Sequence, residues 1–461
     1  MAIDRDLKAA IAATRFGLGA KSGEIADARS DPQGYLTSQI RPEGADQPQA
    51  NPPSSAQRFS EFREYQQDRK QARAEGDPKS DPVKMAARML RDDTGIDYLA
   101  RMQLAARTDD AFRERWALFW ANHFTVSATK FVTATLVGPF EQEAIRPSVF
   151  GRFEDLLVAS SSHPAMLLYL DQAQSVGPDT LAARFLSRGK KSAGINENLA
   201  REIMELHTVG VDAGYSQADV TEFARAMTGW SIGGLKEADD RRGRFIFRPA
   251  AHEPGARTIM GKRYGEGGQE QALAVMHDLA ASPHTARHLA TKIARHFVAD
   301  DPPPALIARL QRAYLDTGGQ LGAVAKTLIA SPEAWEPQAR KFKTPYEFMI
   351  SSWRAADTVP DNIVAIAPVL NSMGQKAFSA PSPKGWPEEA QVWCAPDAVI
   401  KRMVWSETFA AQTIADRDPK TLAANALGAR LTPQVGTAIA RAETRPEGLA
   451  ILLMSPEFQR R

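Results

Sequence analysis

The chain has 461 residues, and its 57 Lys and Arg against 55 Asp and Glu leave a net charge of +2. This balance argues against a dedicated binder of nucleic acid or of anionic membranes, which would carry a one-sided basic field. The single cysteine, Cys394, excludes an intrachain disulfide and any metal site built from several cysteines.

The N-terminal residues lack the long apolar core of a signal peptide. No later stretch approaches the run of apolar residues that a membrane-spanning helix needs. From these two observations we expect no membrane span and a cytoplasmic location.

Helical signals dominate the chain and predict an all-α fold with a multi-helix body. A Pro-, Gln- and Asn-rich stretch after residue 40 predicts a mobile linker. The predicted parts are an N-terminal helical segment (1–40), a polar mobile linker with a charged helix (41–83), a main helical domain (84–345) and a C-terminal helical region (346–461).

An aromatic stripe marks the first well-defined helix of the main domain. Phe112, Trp116, Phe119 and Trp120 recur at helical spacing, which is typical of a face buried in the core. The alternative is that these rings stack on a ligand. The helix is expected to end at Asn122-His123.

Strand signals are sparse. Two short extended runs, 244–248 and 257–261, flank a turn that contains Pro254 and Gly255. This pattern predicts one small β-hairpin near residues 244–261.

The densest group of polar residues lies between these elements, in two predicted helices. The first covers 196–209 and is closed by Gly210. The second follows Ser216-x-x-Asp219, which resembles a capping box. The short loop between them predicts that the two helices pack as an antiparallel hairpin.

One face of the first helix carries Asn198, Glu202 and Glu205, because residues three or four apart share a face. Arg201 is placed to pair with Glu197 or with Glu205. The face has two interpretations. It is either a solvated surface with ion pairs, or a partly buried polar site in which Glu202 and Glu205 act as metal ligands or as an acid and a base.

The two helices together, NENLAREIMELHTVGVDAGYSQADVTEFARAMTGW, resemble the signature of the bacterial domain-of-unknown-function 1800 family. Four further blocks resemble that family in the same order: ALFWANHFTVSATK, HPAMLLYLD, AAHEPGARTIMGKRY and PSPKGWP. The resemblance implies a large, mostly helical bacterial protein without established chemistry. It also implies export to the cell envelope and a gene neighbour that resembles a sulfatase. The chain departs from the family in lacking an export signal and in having Glu253 after His252, where an Asp is usual.

The leading hypothesis is a metal- or cofactor-assisted enzyme, because the blocks that carry the resemblance are rich in polar residues. A pocket formed by the 196–207 helix, Asn122-His123 and His252 would hold a divalent metal or another cofactor. The predicted catalytic residues are Glu202, Glu205 and Arg201; the predicted substrate-binding residues are Asn122, Asn196, Asn198, Trp230 and Trp386; the predicted metal ligands are His123, Glu202, Glu205 and His252.

The alternative hypothesis is a non-catalytic helical scaffold that binds a partner protein, with the sulfatase-like neighbour as the candidate. The same polar residues would then form an internal hydrogen-bond network that fixes how the helices pack. Convergence of Glu202 and Glu205 with His123 or His252 in an accessible pocket would favour the enzyme.

Three other histidines have local interpretations. His284 and His288 are spaced i,i+4, which can hold a transition metal, but surface or capping roles are the default. His163 precedes a proline and is predicted to cap a helix. The alternative for His163 is a catalytic role.

Overall fold

A computed structural model describes residues 4–77, 79–188 and 194–461. It is 62% helical, and its described residues form 24 α-helices and two pairs of short antiparallel strands. The predicted mainly helical fold with minor β structure is confirmed.

The first half of the chain is helical. Its helices are α1 (Arg5–Ile11), α2 (Glu24–Ala28), α3 (Pro32–Thr37), α4 (Ser55–Ala74), α5 (Asp81–Arg107), α6 (Ala111–His123), α7 (Phe131–Phe140), α8 (Phe153–Ser162), α9 (Pro164–Tyr169), α10 (Leu181–Arg188), α11 (Asn198–Glu202) and α12 (Gln217–Ala226). Three π-helical turns extend helices of this half, at Ala12–Phe16, Glu141–Ile145 and Ile203–His207.

The second half is also helical. Its helices are α13 (Gln269–Ala281), α14 (Pro283–Phe297), α15 (Pro304–Asp316), α16 (Leu321–Ala330), α17 (Pro345–Ala355), α18 (Ile363–Ser372), α19 (Ala390–Trp393), α20 (Pro396–Thr413), α21 (Pro419–Leu427), α22 (Pro433–Ala440), α23 (Arg445–Met454) and α24 (Pro456–Gln459). The strands lie between the halves: β1 (Trp230–Ile232), β2 (Phe245–Phe247), β3 (Arg257–Ile259) and β4 (Lys262–Tyr264).

Local capping explains where several helices begin. Ser216 and Asp219 form the predicted capping box of α12, and the Ser282 side chain caps α14 ahead of a proline. His163 caps α9 as predicted, since its Nδ1 accepts the backbone N–H of Ala165 at 3.1 Å. These starts are encoded within a few residues of sequence.

The two predicted strands are present, but they do not pair with each other. β2 pairs with β1, and β3 pairs with β4. The β3–β4 turn has positive φ at both Met260 and Gly261, as a tight two-residue hairpin turn requires. The longer connection between β2 and β3 contains a short 3-10 helix instead. The predicted small β element is therefore present, but each of its two predicted strands lies in a separate antiparallel pair.

Two large hydrophobic clusters share the interior. The first contains the aromatic stripe of α6, with Trp116 and Trp120 fully buried, and extends through α16. The second contains Tyr98 and Met102 of α5 together with the helices from α17 onward. α5 therefore packs with helices that lie far from it in sequence.

The start of the predicted mobile linker is held against the body of the protein. Ala45 N–H donates to the backbone oxygen of Arg146 at 2.8 Å, and Asp46 pairs with Arg113 at 3.1 Å. The Gln49 side chain donates to Asp97 at 2.9 Å. These contacts join residues 45–49 to α5, α6 and the segment that contains Arg146.

None of the described helices is both long enough and apolar enough to cross a membrane.

Candidate active site

The signature helix forms as predicted, but its second half is π-helical. After α11, residues Ile203–His207 continue as a π turn, and Gly210 closes the helix with a φ of +81°. A π turn holds more residues than an α turn, so it changes the direction of every side chain that follows Glu202. The rule that residues three or four apart share a helix face therefore applies only as far as Glu202.

Glu202 and Glu205 lie on a half-buried face of this helix. Burial, and then the charge of Glu205, raise the pKa of Glu202. Burial and the charge of Glu202 raise the pKa of Tyr169 to about 12. Tyr169 of α9 therefore lies close to this face of the signature helix. Within the described ranges, neither carboxylate makes a hydrogen bond or an ion pair. This face is acidic and partly exposed to solvent.

Arg201 ties the signature helix to its neighbour. Its Nη2 contacts Glu197 Oε2 at 3.1 Å and donates to Gln217 Oε1 at 2.8 Å. Glu197 in turn accepts a hydrogen bond from Thr221 Oγ1 at 2.6 Å. The contacts of Arg201 join α11 to α12 and are those of a structural cation.

Three of the predicted substrate-binding residues have structural contacts. Asn196 Oδ1 accepts the backbone N–H of Asn198 at 2.9 Å, which fixes the turn that leads into α11. The Asn196 side chain also donates to the backbone oxygen of Asp171 at 3.3 Å. Trp230 is fully buried, with its ring 5.1 Å from Phe245. No cleft described below includes these residues.

His123 belongs to a buried group of histidines. Its Nε2 donates to the backbone oxygen of His207 at 3.1 Å, and its ring centroid lies 5.8 Å from that of His207 and 6.5 Å from that of His288. His288 Nε2 donates to the backbone oxygen of Leu206 at 3.0 Å. His288 is thus half-buried against the signature helix, whereas His284 is exposed as predicted.

His252 is held elsewhere. Its Nδ1 donates to the backbone oxygen of Thr228 at 2.9 Å, which fixes the loop after β2. Its Nε2 is buried and has no partner. Among the described residues, no three His, Cys, Asp or Glu side chains are grouped so that they could hold a metal ion. The predicted ligands His123, Glu202, Glu205 and His252 are therefore not gathered: His123 and His252 each bind a different backbone oxygen, and the two carboxylates lie on the half-buried face of the signature helix.

A partly enclosed cleft lies between the two hydrophobic clusters, with a volume of about 100 Å³. This is room for several water molecules or one small polar ligand. Its walls come from α5, α6, α7, α14, α17 and the 375–388 loop. Its polar lining consists of Tyr98, Arg101, Arg115, Asn122, Thr125, Glu141, His296, Thr344, Tyr346, Glu347, Gln375 and Glu388.

Asn122 and Trp386, two residues predicted from sequence, meet at this cleft. The Asn122 side chain donates to the backbone oxygen of Trp386 at 3.1 Å and accepts its backbone N–H at 2.7 Å. A side chain on Gly385, whose φ is +87°, would overlap the backbone oxygen of Asn122. This close approach fixes the loop that carries Trp386 over the end of α6.

Paired charges line the cleft floor. Glu347 is bound by Arg115 and, at 3.1 Å, by Arg461. Burial opposes ionisation of Glu347, but these two guanidinium groups outweigh it and lower its pKa. Arg101 donates to Glu141 at 2.7 Å. Such buried pairs orient groups rigidly, because breaking one leaves an uncompensated charge.

One histidine of the cleft is held by a carboxylate. His296 Nδ1 donates to Glu388 Oε1 at 2.8 Å, while its Nε2 is buried without a partner. Burial lowers the pKa of His296, which keeps the imidazole neutral. Burial alone would raise the pKa of Glu388, but the charge that His296 carries when it is protonated in acid, its hydrogen bond and the charge of Lys341 outweigh burial and lower that pKa to about 2.

The sequence interpretation missed His296 and Glu388. A signal was present: His288, Lys292 and His296 follow one another at i,i+4 spacing on a helix whose other stripe is apolar. Glu388 closely follows Trp386 in a block that resembled the family. Nothing local indicated that the two segments meet.

The family described as "Protein of unknown function (DUF1800)" matches residues 11–460. Neither the curated proteins nor the solved structures contain a detectable match. The match covers nearly all of the chain and confirms the resemblance seen in the sequence.

Proposed function

The chain belongs to the DUF1800 family, and from that premise we propose that it is an enzyme whose general base is His296, acting on a small polar substrate in the cleft. One observation carries the proposal. The Glu388 carboxylate accepts a hydrogen bond from His296 Nδ1 at 2.8 Å, and His296 Nε2 is buried without a partner. General bases need this combination of a fixed tautomer and a free lone pair.

The tautomer follows from the hydrogen bond. Glu388 is ionised and can only accept, so the proton of the neutral imidazole lies on Nδ1. His296 Nε2 then carries a lone pair that can accept a proton from a bound substrate. Arg461 donates to the backbone oxygen of His296 at 2.6 Å and so fixes the position of that residue.

The cleft walls supply candidates for substrate binding. Trp386 offers an aromatic face, and Asn122 and Gln375 offer amide groups. Asn122 and Trp386 keep the role that their sequence context predicted. Glu202 and Glu205 do not keep the acid–base role in this proposal, which assigns it to His296.

The hypothesis of metal assistance receives no support from the grouping of side chains in the described part of the chain. The proposal does not depend on it, because a neutral imidazole transfers protons by itself. Arg115 and Glu347 are too firmly paired to move protons, so we assign them to holding the cleft floor.

The test begins with a thermal-shift screen of small polar metabolites. Compounds that stabilise the protein are then followed by NMR for consumption, with wild type, His296→Gln and His277→Gln compared. His277 is an exposed histidine that also pairs with a glutamate, so it is a matched control. The expected result is a compound that the control consumes at the wild-type rate and that His296→Gln consumes about a thousandfold more slowly. Undiminished turnover by His296→Gln would contradict the proposal.

A second candidate function is the binding of a partner protein, and an apolar strip on α20 favours it. Ile400, Met403 and Val404 are 59%, 46% and 61% exposed. Met403 also borders a groove with Ile451 and Met454 of α23. Contiguous exposed apolar surface of this kind is typical of interaction sites.

The sulfatase-like neighbour implied by the sequence resemblance is the candidate partner. Co-elution of the two purified proteins in size-exclusion chromatography would support this function. Met403→Asp should abolish co-elution, and Val364→Asp, which alters an apolar residue 78% exposed elsewhere, should not. Separate elution of the wild-type proteins at micromolar concentration would exclude this partner.

A further inference from the structure

The floor of the cleft has an excess of buried positive charge. Arg115 and Arg461 are each 1% exposed, and both bind the carboxylate of Glu347. Neither guanidinium group forms an ion pair with another carboxylate of the described residues. Two positive charges therefore share one negative charge, which is costly at a buried position.

We propose that the substrate of the cleft is a small carboxylic acid whose carboxylate binds to Arg115. The inference rests on the proposed function and adds to it the class of substrate. Arg115 lines the cleft, and its Nε–H is buried without a hydrogen-bond partner. A planar guanidinium group matches the two oxygens of a carboxylate. A ligand carboxylate would supply both the missing acceptor and the missing negative charge.

A second arginine of α6 provides an internal comparison. Arg113 is as deeply buried as Arg115, but it pairs with two carboxylates, those of Asp46 at 3.1 Å and Asp110 at 2.9 Å. An unpartnered N–H does not distinguish the two arginines, because Arg113 Nη2 is also buried without a partner. The charge does: Arg113, which does not line the cleft, has a surplus of negative partners, whereas Arg115 has a deficit.

Two further buried cations lie within electrostatic range of Glu347. The side chains of Lys343 and Arg402 donate hydrogen bonds to neutral protein groups, and neither forms an ion pair within the described ranges. Burial lowers the pKa of Lys343, and nearby guanidinium groups lower it further, although Glu347 opposes them. The electrostatic field around Glu347 is therefore positive and favours an anionic ligand.

The other carboxylates of the cleft have partners of their own. Glu141 accepts a hydrogen bond from Arg101 at 2.7 Å, and Glu388 Oε2 lies 3.9 Å from Lys341 Nζ. Glu388 also acts on Arg115 and favours its charged form, but burial is the larger effect and lowers the pKa of Arg115 to about 9. The existing carboxylates thus leave the charge of Arg115 only partly compensated.

Arg115 and the proposed base are held in a fixed relation. Arg461 donates to the backbone oxygen of His296 at 2.6 Å, and it also binds Glu347, the partner of Arg115. The guanidinium group of Arg115 lies 5.9 Å from the ring of Phe297, the residue after His296. Because the cleft is small, a ligand whose carboxylate binds Arg115 would present the atoms next to that carboxylate to His296 Nε2.

Paired ligands test the need for a carboxylate. Glycolate, L-lactate, D-lactate and pyruvate are titrated into the full-length protein at pH 7 and compared with their amides, which have nearly the same shape without the charge. Ligand-observed NMR measures binding. We expect at least one carboxylate to bind at least about tenfold more tightly than its amide. Sodium chloride at the same concentration should not displace it; displacement would indicate a site for any small anion and overturn the inference.

Two variants of α6 locate the binding site. Arg115→Gln should weaken binding of that carboxylate at least about tenfold and leave binding of its amide unchanged. Arg113→Gln, the matched control, should change neither. Glu347 keeps Arg461 as a partner in Arg115→Gln, and thermal unfolding checks that both variants fold. Unchanged carboxylate binding in a folded Arg115→Gln would contradict the assignment.

The wild-type comparison does not depend on how any variant folds. Equal binding of all four carboxylates and their amides would overturn the inference. If His296→Gln also abolishes turnover of an uncharged compound from the metabolite screen, a carboxylic acid is excluded as the substrate and the proposed function stands. If a carboxylate binds through Arg115 but His296→Gln leaves every turnover unchanged, the carboxylate site stands and the proposed base is refuted.

Discussion

The signature helix and α14 with the 381–388 loop make an instructive comparison. The helix has the higher density of polar residues, and Asn196 and Arg201 use their side chains for a local turn and a contact between helices. On α14, His296 lines the cleft and has one buried ring nitrogen without a partner. The proposed function therefore follows an unpartnered polar group in a cleft and not the density of polar residues in the sequence.

The signature helix contacts α6 and α14 through its backbone. Its π turn ends with the carbonyl oxygens of Leu206 and His207 directed at His288 and His123. Carbonyl groups at a helix end lack partners within the helix, and here imidazole N–H groups satisfy them. The helix thereby sets the tautomers of both histidines.

The largest expected effect compares the two regions directly. His296→Gln should lower turnover by about a thousandfold, because it removes the proton acceptor. Glu202→Gln, on the signature helix, should change turnover by less than about twofold, since no contact links it to the cleft. The turnover rates of the two variants are measured by NMR on a substrate from the screen. A larger loss of turnover in Glu202→Gln than in His296→Gln would place the active site at the signature helix.

Stability should show a similar contrast. Glu347→Ala leaves Arg115 and Arg461 as buried unpaired charges, and we expect a loss of about 3–5 kcal/mol in the free energy of unfolding. Glu205→Ala on the half-exposed face should cost less than about 1 kcal/mol. Urea denaturation of both variants measures the difference. Similar losses would mean that the two faces are equally buried.

The histidines between the two regions predict how stability depends on pH. The pKa of His207 is lowered from 6.5 to about 3, so the unfolded chain binds a proton at this residue that the folded protein does not. Stability from this group is complete above pH 6.5 and falls as pH decreases, by about 3 kcal/mol near pH 4. His207→Gln should flatten a plot of unfolding free energy against pH over this range. His277→Gln, which alters an exposed histidine, should leave the slope intact.

The smallest effect concerns the loop that brings Trp386 to the cleft. Gly385→Ala introduces a Cβ that overlaps Asn122 at positive φ, and it should cost about 2 kcal/mol and weaken ligand binding in the cleft. Gly214→Ala also has positive φ but has no neighbour within 4 Å, so about 1 kcal/mol is expected with no change in binding. Thermal unfolding and isothermal titration check the pair. Equal effects on binding would mean that the loop does not position Trp386.

Much of the fold was predictable because its signals are local. The capping box at Ser216 and the aromatic stripe of α6 depend on residues within one or two turns, and both are confirmed. The pairing of β2 was not predictable, because its partner β1 shows no strand pattern of its own. For the candidate site, Asn122 and Trp386 came from sequence, whereas His296 and Glu388 did not.

By itself the sequence determined the helical class, the positions of helix starts and the family to which the chain belongs. These follow from hydrophobic periodicity and from side chains that bond to their own neighbouring backbone. The tertiary structure decided which polar groups meet, as when His296 binds Glu388 across 92 residues. Such pairs depend on how two hydrophobic clusters pack, because burial removes the water that would otherwise satisfy each group separately.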